Sequence, residues 1–358
     1  MEKTDVLVIG GSAAGIIAAV TGKSSNPEKS FLLLRKEQQV MVPCGIPYIF
    51  GSLESSEKNI IPDTALNTAG VTIRIGEAVS IDSQNKICHV ADGTEIGFEK
   101  LVFATGSTPT VPKWLKGAEL KHVFTIPKNK EYIDTILVKL GNSKKVITIG
   151  GGFIGVEMSD EMHKRGKDVT IVEILPHILG LVFDDAIAIN VEDILRARGV
   201  KVKAGVGVKE ILGNESGEAT GVLLSNGETL DADAVILSMG YRPNISIAAE
   251  AGLKITDLGF IEVDRYMRTD KKDIFAVGDC ASKRNFITGH HSGVMLASIA
   301  CAEARTAGMN LYKLSSVKSF IGTIAIFATA LGDNAFGAAG LTENQATKEG
   351  IDIVTGTF

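Results

Sequence analysis

The sequence predicts an α/β protein made of two similar strand–helix–strand units, each trailed by a small antiparallel β-meander. Three observations carry that prediction. The segment VLVIGGSAAG, with glycines at 10, 11 and 15, recurs as VITIGGGFIG, with glycines at 150, 151, 152 and 155, the self-similarity that marks an internal repeat. Each copy is followed by a second apolar strand that ends in glycine: LVFATG at Gly106 and VILSMG at Gly240. Glycine is also in excess, 39 of 358 residues, or about 11% against an average near 7%.

Taken in order, residues 6–9 form a β-branched apolar run that enters a glycine turn and then a helix-compatible stretch, and FLLLRKE at 31–37 is the next strand. Alternating segments at 77–82, 86–91 and 94–98, split by turn residues, make the first meander. In the second copy the strand 146–149 leads through its glycines into a helical pattern at 153–165, and DVTIVE ends in Glu173. Segments 206–212 and 219–224 make the second meander. From Asp273 a further strand, DIFAVGD, precedes a helix-like stretch from Ser292 to Ala307, in which Val294, Leu296, Ile299 and Cys301 supply an apolar face. After Leu314 the chain turns small-residue-rich, and its last residues, IDIVTGTF, read as a strand that has just begun.

Composition narrows the function classes. With 37 basic and 42 acidic residues, a net charge of −5, and no long basic run, the chain has no electrostatic footprint for nucleic acid or an anionic membrane. The longest apolar stretch, 321–331, falls far short of the ~20 residues a spanning helix needs. The N-terminus lacks the pattern of a signal peptide. Four widely spaced cysteines form neither a disulfide scaffold nor a CxxC metal or redox pair. A cytoplasmic, reducing setting and no metal are the expectations.

The glycine turns point to dinucleotides. Binding one requires a strand that turns sharply, a backbone that approaches the pyrophosphate, and a helix N-terminus facing the anion. Gly150, Gly152 and Gly155 fill all three fingerprint positions, and Glu173 can accept hydrogen bonds from ribose hydroxyls while repelling a 2′-phosphate. The second copy therefore favours NAD over NADP. The first copy reads GxSxxG, with Gly10, Ser12 and Gly15, and its second strand ends in Arg35, Lys36 and Glu37, so that an acidic ribose contact there falls to Glu37 or is absent.

Beyond these turns, VPCGIPYIFG around Cys44, ATGSTP at 104–109, GGGFIGVE at 150–157 and IFAVGDCA at 274–281 resemble the pyridine nucleotide-disulfide oxidoreductase superfamily. Within it they resemble the single-cysteine branch of coenzyme A-disulfide reductases, NAD(P)H-dependent persulfide or polysulfide reductases and water-forming NADH oxidases. The resemblance implies two Rossmann-like dinucleotide-binding domains, FAD in the first and NAD(P)H in the second, plus the start of an α+β interface domain. The expected bounds are 1–110 and 241–314 for the FAD domain, 111–240 for the NAD(P)H domain and 315–358 for a partial dimerisation domain.

It further implies flavin contacts at Gly10, Ser12, Ala13, Ala14, Gly15, Arg35, Lys36, Pro43, Thr105, Gly106 and Asp279, the last bonding the ribitol. The helix from about Ser292 would aim at the flavin's pyrimidine end. NADH contacts fall on Gly150, Gly152, Phe153, Ile154, Gly155, Glu157, Glu173 and Gly240, with Glu157 near the nicotinamide and NADPH left open.

Cys44 is the expected catalytic residue. A cysteine at a helix N-terminus is more thiolate, and with no second cysteine nearby its redox partner comes from outside the chain. Cys88 and Cys301 read as core and Cys280 as packing. Ala13 stands where peroxidase and some oxidase relatives carry an acid/base histidine, and Tyr48 follows the cysteine as in sulfur reductases. Lys23 matches one basic contact to coenzyme A phosphates, but Thr21 and Ser24 replace two others, so coenzyme A stays open as substrate or bound thiol. His290 and His291 read either as surface residues or as proton donors near the flavin. The implied activity is NAD(P)H-dependent reduction of a disulfide, persulfide or polysulfide in a homodimer completed by the interface domain. The alternatives are a water-forming NADH oxidase working through a Cys44 sulfenic acid and a non-catalytic flavin redox sensor.

Overall fold

Residues 6–9 are buried on every side, between 0% and 6% exposed, as an apolar run in a parallel sheet covered on both faces must be. In a computed structural model of the chain, which describes residues 1–314 and 319–357, this run lies within strand Glu2–Ile9. The sheet runs Thr72–Ile75, Phe31–Arg35, Glu2–Ile9, Glu95–Phe103, Ile87–Val90, Ala78–Asp82. Strands Phe31–Arg35 and Glu95–Phe103 flank the first in parallel, with Ile9 opposite Leu34 on one side and Phe103 on the other.

Glu95–Phe103 serves two structures at once. Its first half pairs antiparallel with Ile87–Val90 in the meander, and its last three residues pair parallel with Ile274–Ala276. The sequence pattern splits this strand at Glu99 and Lys100; those polar residues mark where the neighbour on its outer edge changes from the meander to Ile274–Ala276, while its other edge stays paired with Glu2–Ile9. Helix Ala13–Ser25 packs against helix Ala297–Met309 through small side chains, Ala18 and Gly22 on one and Ala300, Ala304 and Ala307 on the other.

The second helix begins five residues later than the expected Ser292. His291–Ser292 is a strand paired with Lys283–Arg284, and Leu296, the residue before the first helical turn, is still extended. Val294 and Leu296 match a helical period only because an extended segment next to a helix also alternates.

The second unit repeats the design. Its sheet, Val123–Thr125, Ala234–Leu237, Lys145–Ile149, Asp168–Val172, Lys201–Lys203, is parallel throughout. Its meander, Val208–Gly213, Ala219–Leu224 and Thr229–Asp231, is a separate sheet.

The chain divides into Met1–Cys44, Ile60–Thr108 and Arg242–Ala325 as one unit, and Gly45–Asn59, Pro109–Tyr241 and Ile326–Phe358 as the other. This differs from the expected bounds in two places: residues 45–59 group with the second unit, and the expected 315–358 segment is shared. Residues 315–318, where that segment was to begin, and 358 lie outside the described residues. In the second unit, Ile326–Leu331 and Asn334–Ala339 form a hairpin followed by helix Glu343–Lys348. The expected terminal strand does not form over 351–357: that stretch pairs with no strand among the described residues, and Val354 is fully exposed.

Candidate functional site

The two glycine turns are built alike. Gly10 N–H donates to Leu34 C=O and Gly150 N–H to Val172 C=O. Gly10 and Gly150 have φ of +113° and +106°, and a Cβ on either would lie 2.1 Å from Ala104 O or 2.3 Å from Ser238 O. One helical turn on, a Cβ on Gly15 would meet Gly10 O at 1.8 Å, and one on Gly155 would meet Gly150 O at 2.0 Å. The middle position differs: Gly152 has open space around it, and Ser12 is half-buried.

Both helices leave their N-termini open. Neither Ser12 nor Gly152 caps its helix with a side chain. Helix Lys130–Gly141, by contrast, is capped by the Asn129 side chain, and helix Glu343–Lys348 by a Thr342–Gln345 capping box. The uncapped backbone N–H groups and the helix dipole fit a pyrophosphate. The residues present therefore fit a dinucleotide in each unit, with Ala13 and Ala14 opening the first helix and Phe153 and Ile154 the second.

Past the turns the two units diverge. The register places Arg35 and Glu173 at equivalent points, one residue past the Ile9–Leu34 and Ile149–Val172 pairs. Glu173 Oε2 accepts from Gly151 N–H at 2.5 Å and Oε1 from Leu175 N–H at 2.8 Å, which leaves lone pairs for ribose hydroxyls. Arg35 is buried and engaged: it forks onto Asp63 at 2.6 and 2.8 Å and donates to the carbonyls of Glu37 and Gln38. Its donors are turned to the protein. Lys36 is exposed and pairs with Glu77.

The other residues of the first unit gather around the end of the Glu95–Phe103 strand. Asp279 Oδ2 accepts from Ser107 Oγ at 2.7 Å. Thr105 Oγ1 donates to Asn244 C=O at 2.6 Å, Asn244 Nδ2 donates to Thr105 C=O, and Asn244 N–H donates to Gly106 C=O, so Asn244 fixes the Thr105–Gly106 turn. Asn244 and Asp63 escape sequence reasoning, for they act across 139 and 28 residues and sit in no recognisable motif. His290 and His291 are exposed on the hairpin made with Lys283–Arg284.

Cys44 is exposed, in a 3-10 turn Pro43–Gly45 that runs into helix Ile46–Ile49. It is also the last residue before the chain passes from the first unit to the second. Cys88 and Cys280 are buried and Cys301 half-buried; burial pushes the Cys88 thiol up to about 12. Lys23 Nζ donates to the carbonyls of Pro27 and Lys29 at 2.8 and 2.7 Å, closing the end of its own helix.

In the second unit Glu157 is half-buried and accepts from Thr329 Oγ1 at 2.9 Å. Burial pushes its carboxyl up to about 7, against the Thr329 hydrogen bond. Phe153 stacks on Phe327, with ring centroids 5.5 Å apart. Tyr48 is half-buried; burial first, then the charges of Glu157 and Glu161, raise its hydroxyl above the ordinary value. Glu161, itself buried, accepts from Ser52 N–H at 2.5 Å, which ties the segment after Cys44 to helix Phe153–Lys164. Gly240 has φ +86° and open space around it. Among the described residues no cluster of histidine, cysteine and carboxylates is arranged to hold a metal ion, and no helix is long and apolar enough to cross a membrane.

Residues 4–304 match the family model described as pyridine nucleotide-disulphide oxidoreductase. The chain is 33% identical over 362 residues to an NADH oxidase of Methanocaldococcus jannaschii, covering 98% of this chain and 79% of that one. It is 32% identical to an NAD(P)H coenzyme A polysulfide/persulfide reductase of Pyrococcus horikoshii, covering 99% and 79%. Among solved structures it is similar to an NAD-dependent persulfide reductase from A. fulgidus, with a TM-score of 0.91, 28% identity and 97% of this chain covered; it spans 66% of that chain's length.

Proposed function

The chain belongs to the pyridine nucleotide-disulphide oxidoreductase family, and from that membership we propose that it is an FAD-dependent NAD(P)H oxidoreductase reducing a persulfide or polysulfide through Cys44. The observation that carries the proposal is the pairing of two uncapped, glycine-built turns with one exposed cysteine at the start of a short helix. FAD is assigned to the Gly10 turn and NADH to the Gly150 turn. Bound there, NADH would supply an electron pair and FAD would carry it to sulfur.

The chain's own residues do the rest. The Cys44 thiolate attacks one sulfur of the substrate S–S bond; that bond breaks, the leaving sulfur departs as sulfide or thiolate, and Cys44 is left in a mixed disulfide. Two electrons and a proton restore the thiol and release the second sulfur. Glu157, held near neutrality by burial, keeps a carboxyl that exchanges protons at physiological pH. Glu173 selects NADH, because a 2′-phosphate would meet its carboxylate.

A small sulfur substrate is favoured over coenzyme A disulfide. Lys23, the one matching basic position, is engaged with the carbonyls of residues 27 and 29. A homodimer is part of the proposal, on the outer side of the Ile326–Leu331 strand, where Ile326 is 61% exposed. A reducing, cytoplasmic location suits an exposed working thiol.

The test is NADH consumption by the purified protein with polysulfide, coenzyme A disulfide or oxygen as the only acceptor. Polysulfide should support the fastest turnover and release sulfide. Oxygen as the sole productive acceptor would establish the oxidase instead, and no turnover with any acceptor would leave a redox sensor.

A further inference from the structure

Behind the Gly278–Asp279 turn lies a buried ion pair that the chemistry above does not use. Lys283 is 4% exposed and Glu303 is fully buried. Glu303 Oε2 accepts from Gly278 N–H at 2.8 Å, while Lys283 Nζ donates to Gly278 C=O at 3.2 Å and to Ala281 C=O at 2.7 Å. The two charges thus grip Gly278 from both sides, at a residue whose φ is +77°. The second carboxylate oxygen, Oε1, lies 3.6 Å from Lys283 Nζ and has no hydrogen-bond partner.

Stability does not explain such a pair, since replacing a buried ion pair by apolar groups of similar volume is often neutral or stabilising. Its geometry offers another role. We propose that Lys283 and Glu303 are positioning residues for the flavin, gripping Gly278 so that the Asp279 carboxylate, held by Ser107, keeps its aim at the ribitol. This rests on the reading of the first unit as the FAD site.

The grip is also sensitive to pH. Burial lifts the Glu303 carboxyl to about 7, against the pull of Lys283 and the Gly278 N–H, with Asp279 adding to the rise. The turn Gly278–Cys280 brings Asp279 and the buried Cys280 toward this helix, and strand Lys283–Arg284 brings Lys283. The packed helix Ala13–Ser25 carries one titratable side chain, Lys23, which is engaged at its far end. On the Glu303 helix itself Arg305 sits by Cys301. Protonating Glu303 weakens the acceptor for Gly278 N–H and leaves Lys283 without a counter-charge, so flavin should be held less tightly below about pH 7.

The experiment measures FAD release from the full-length holoprotein by recovery of flavin fluorescence on dilution, at about pH 6 and about pH 8, either side of the Glu303 transition. The variants are Glu303→Gln, Lys283→Met and the double Lys283→Met/Glu303→Leu, each also melted after flavin removal. Wild type should bind FAD several-fold more tightly at the higher pH, and Glu303→Gln should lose that pH dependence. The double variant should melt close to wild type yet bind FAD about 10-fold more weakly, the loss expected for one charged hydrogen bond to the turn. A double variant that binds FAD as wild type does, or a Glu303→Gln protein that keeps the wild-type pH dependence, would overturn the proposal. A wild-type protein that takes up no FAD at all would instead overturn the assignment of the first unit.

Discussion

The two glycine turns share their backbone design, differ in the middle residue, Ser12 against Gly152, and differ most at the end of the next strand. In both, a first glycine lies against the end of the neighbouring strand and a third lies against the first. In both, the helix N-terminus carries no side-chain cap. One residue past equivalent strand pairs, however, the first unit has Arg35 folded onto Asp63 and the second has Glu173 facing its own turn. On the function proposed above, the shared part would meet what every dinucleotide has, its pyrophosphate. On the same proposal, the differing part would decide what else the site reads: Glu173 would accept from ribose hydroxyls, while Arg35 is engaged by Asp63 and the carbonyls of Glu37 and Gln38.

Substitutions in the shared part should do the most damage. Gly10→Ala and Gly150→Ala each force a Cβ into backbone at 2.1 or 2.3 Å. Gly10→Ala should yield protein without bound flavin by its visible spectrum. Gly150→Ala should keep the flavin but slow its reduction by NADH about 100-fold or more, as a misplaced cofactor does. If both variants lose the same cofactor, the two turns do not divide the work.

At the differing position the effects are smaller. Glu173→Ala should weaken NADH about 10- to 100-fold, the range for losing charged hydrogen bonds, and narrow the preference over NADPH; titrating both nucleotides checks this. Arg35→Ala should act on stability instead, costing about 2–3 kcal/mol in urea unfolding as Asp63 loses its partner, with nucleotide preference unchanged.

The smallest expected effect is that of Glu157→Gln. With its carboxyl raised from 4.5 to about 7, the folded chain holds a proton across that window that the unfolded chain releases. This contribution to stability is complete below the lower value and is lost as pH rises through the upper one. The variant should therefore flatten the decline, gaining on wild type at about pH 8 relative to about pH 5 in urea midpoints.

What the sequence made legible divides along the same line. Strands, turns and fingerprint glycines are set by local pattern, and the repeat at 10–15 and 150–155 exposed both. The partners that give each turn its character are distant in sequence: Asp63 for Arg35, Asn244 for Thr105, Thr329 for Glu157, and Glu303 for Gly278. No period or spacing announces such pairs. The late start of helix Ala297–Met309 has the same origin, since His291 and Ser292 are held extended by a strand partner that local propensity does not register.

Cys44, where the chain passes from one unit to the other, is the thiol through which the proposed mechanism brings electrons to sulfur. Its most direct test is the flavin spectrum of wild type and Cys44→Ser, recorded without oxygen as NADH and then polysulfide are added. Both proteins should lose the oxidised flavin band with NADH. Only wild type should regain it with polysulfide, while Cys44→Ser stays bleached; recovery in Cys44→Ser at the wild-type rate would contradict the role assigned to this thiol.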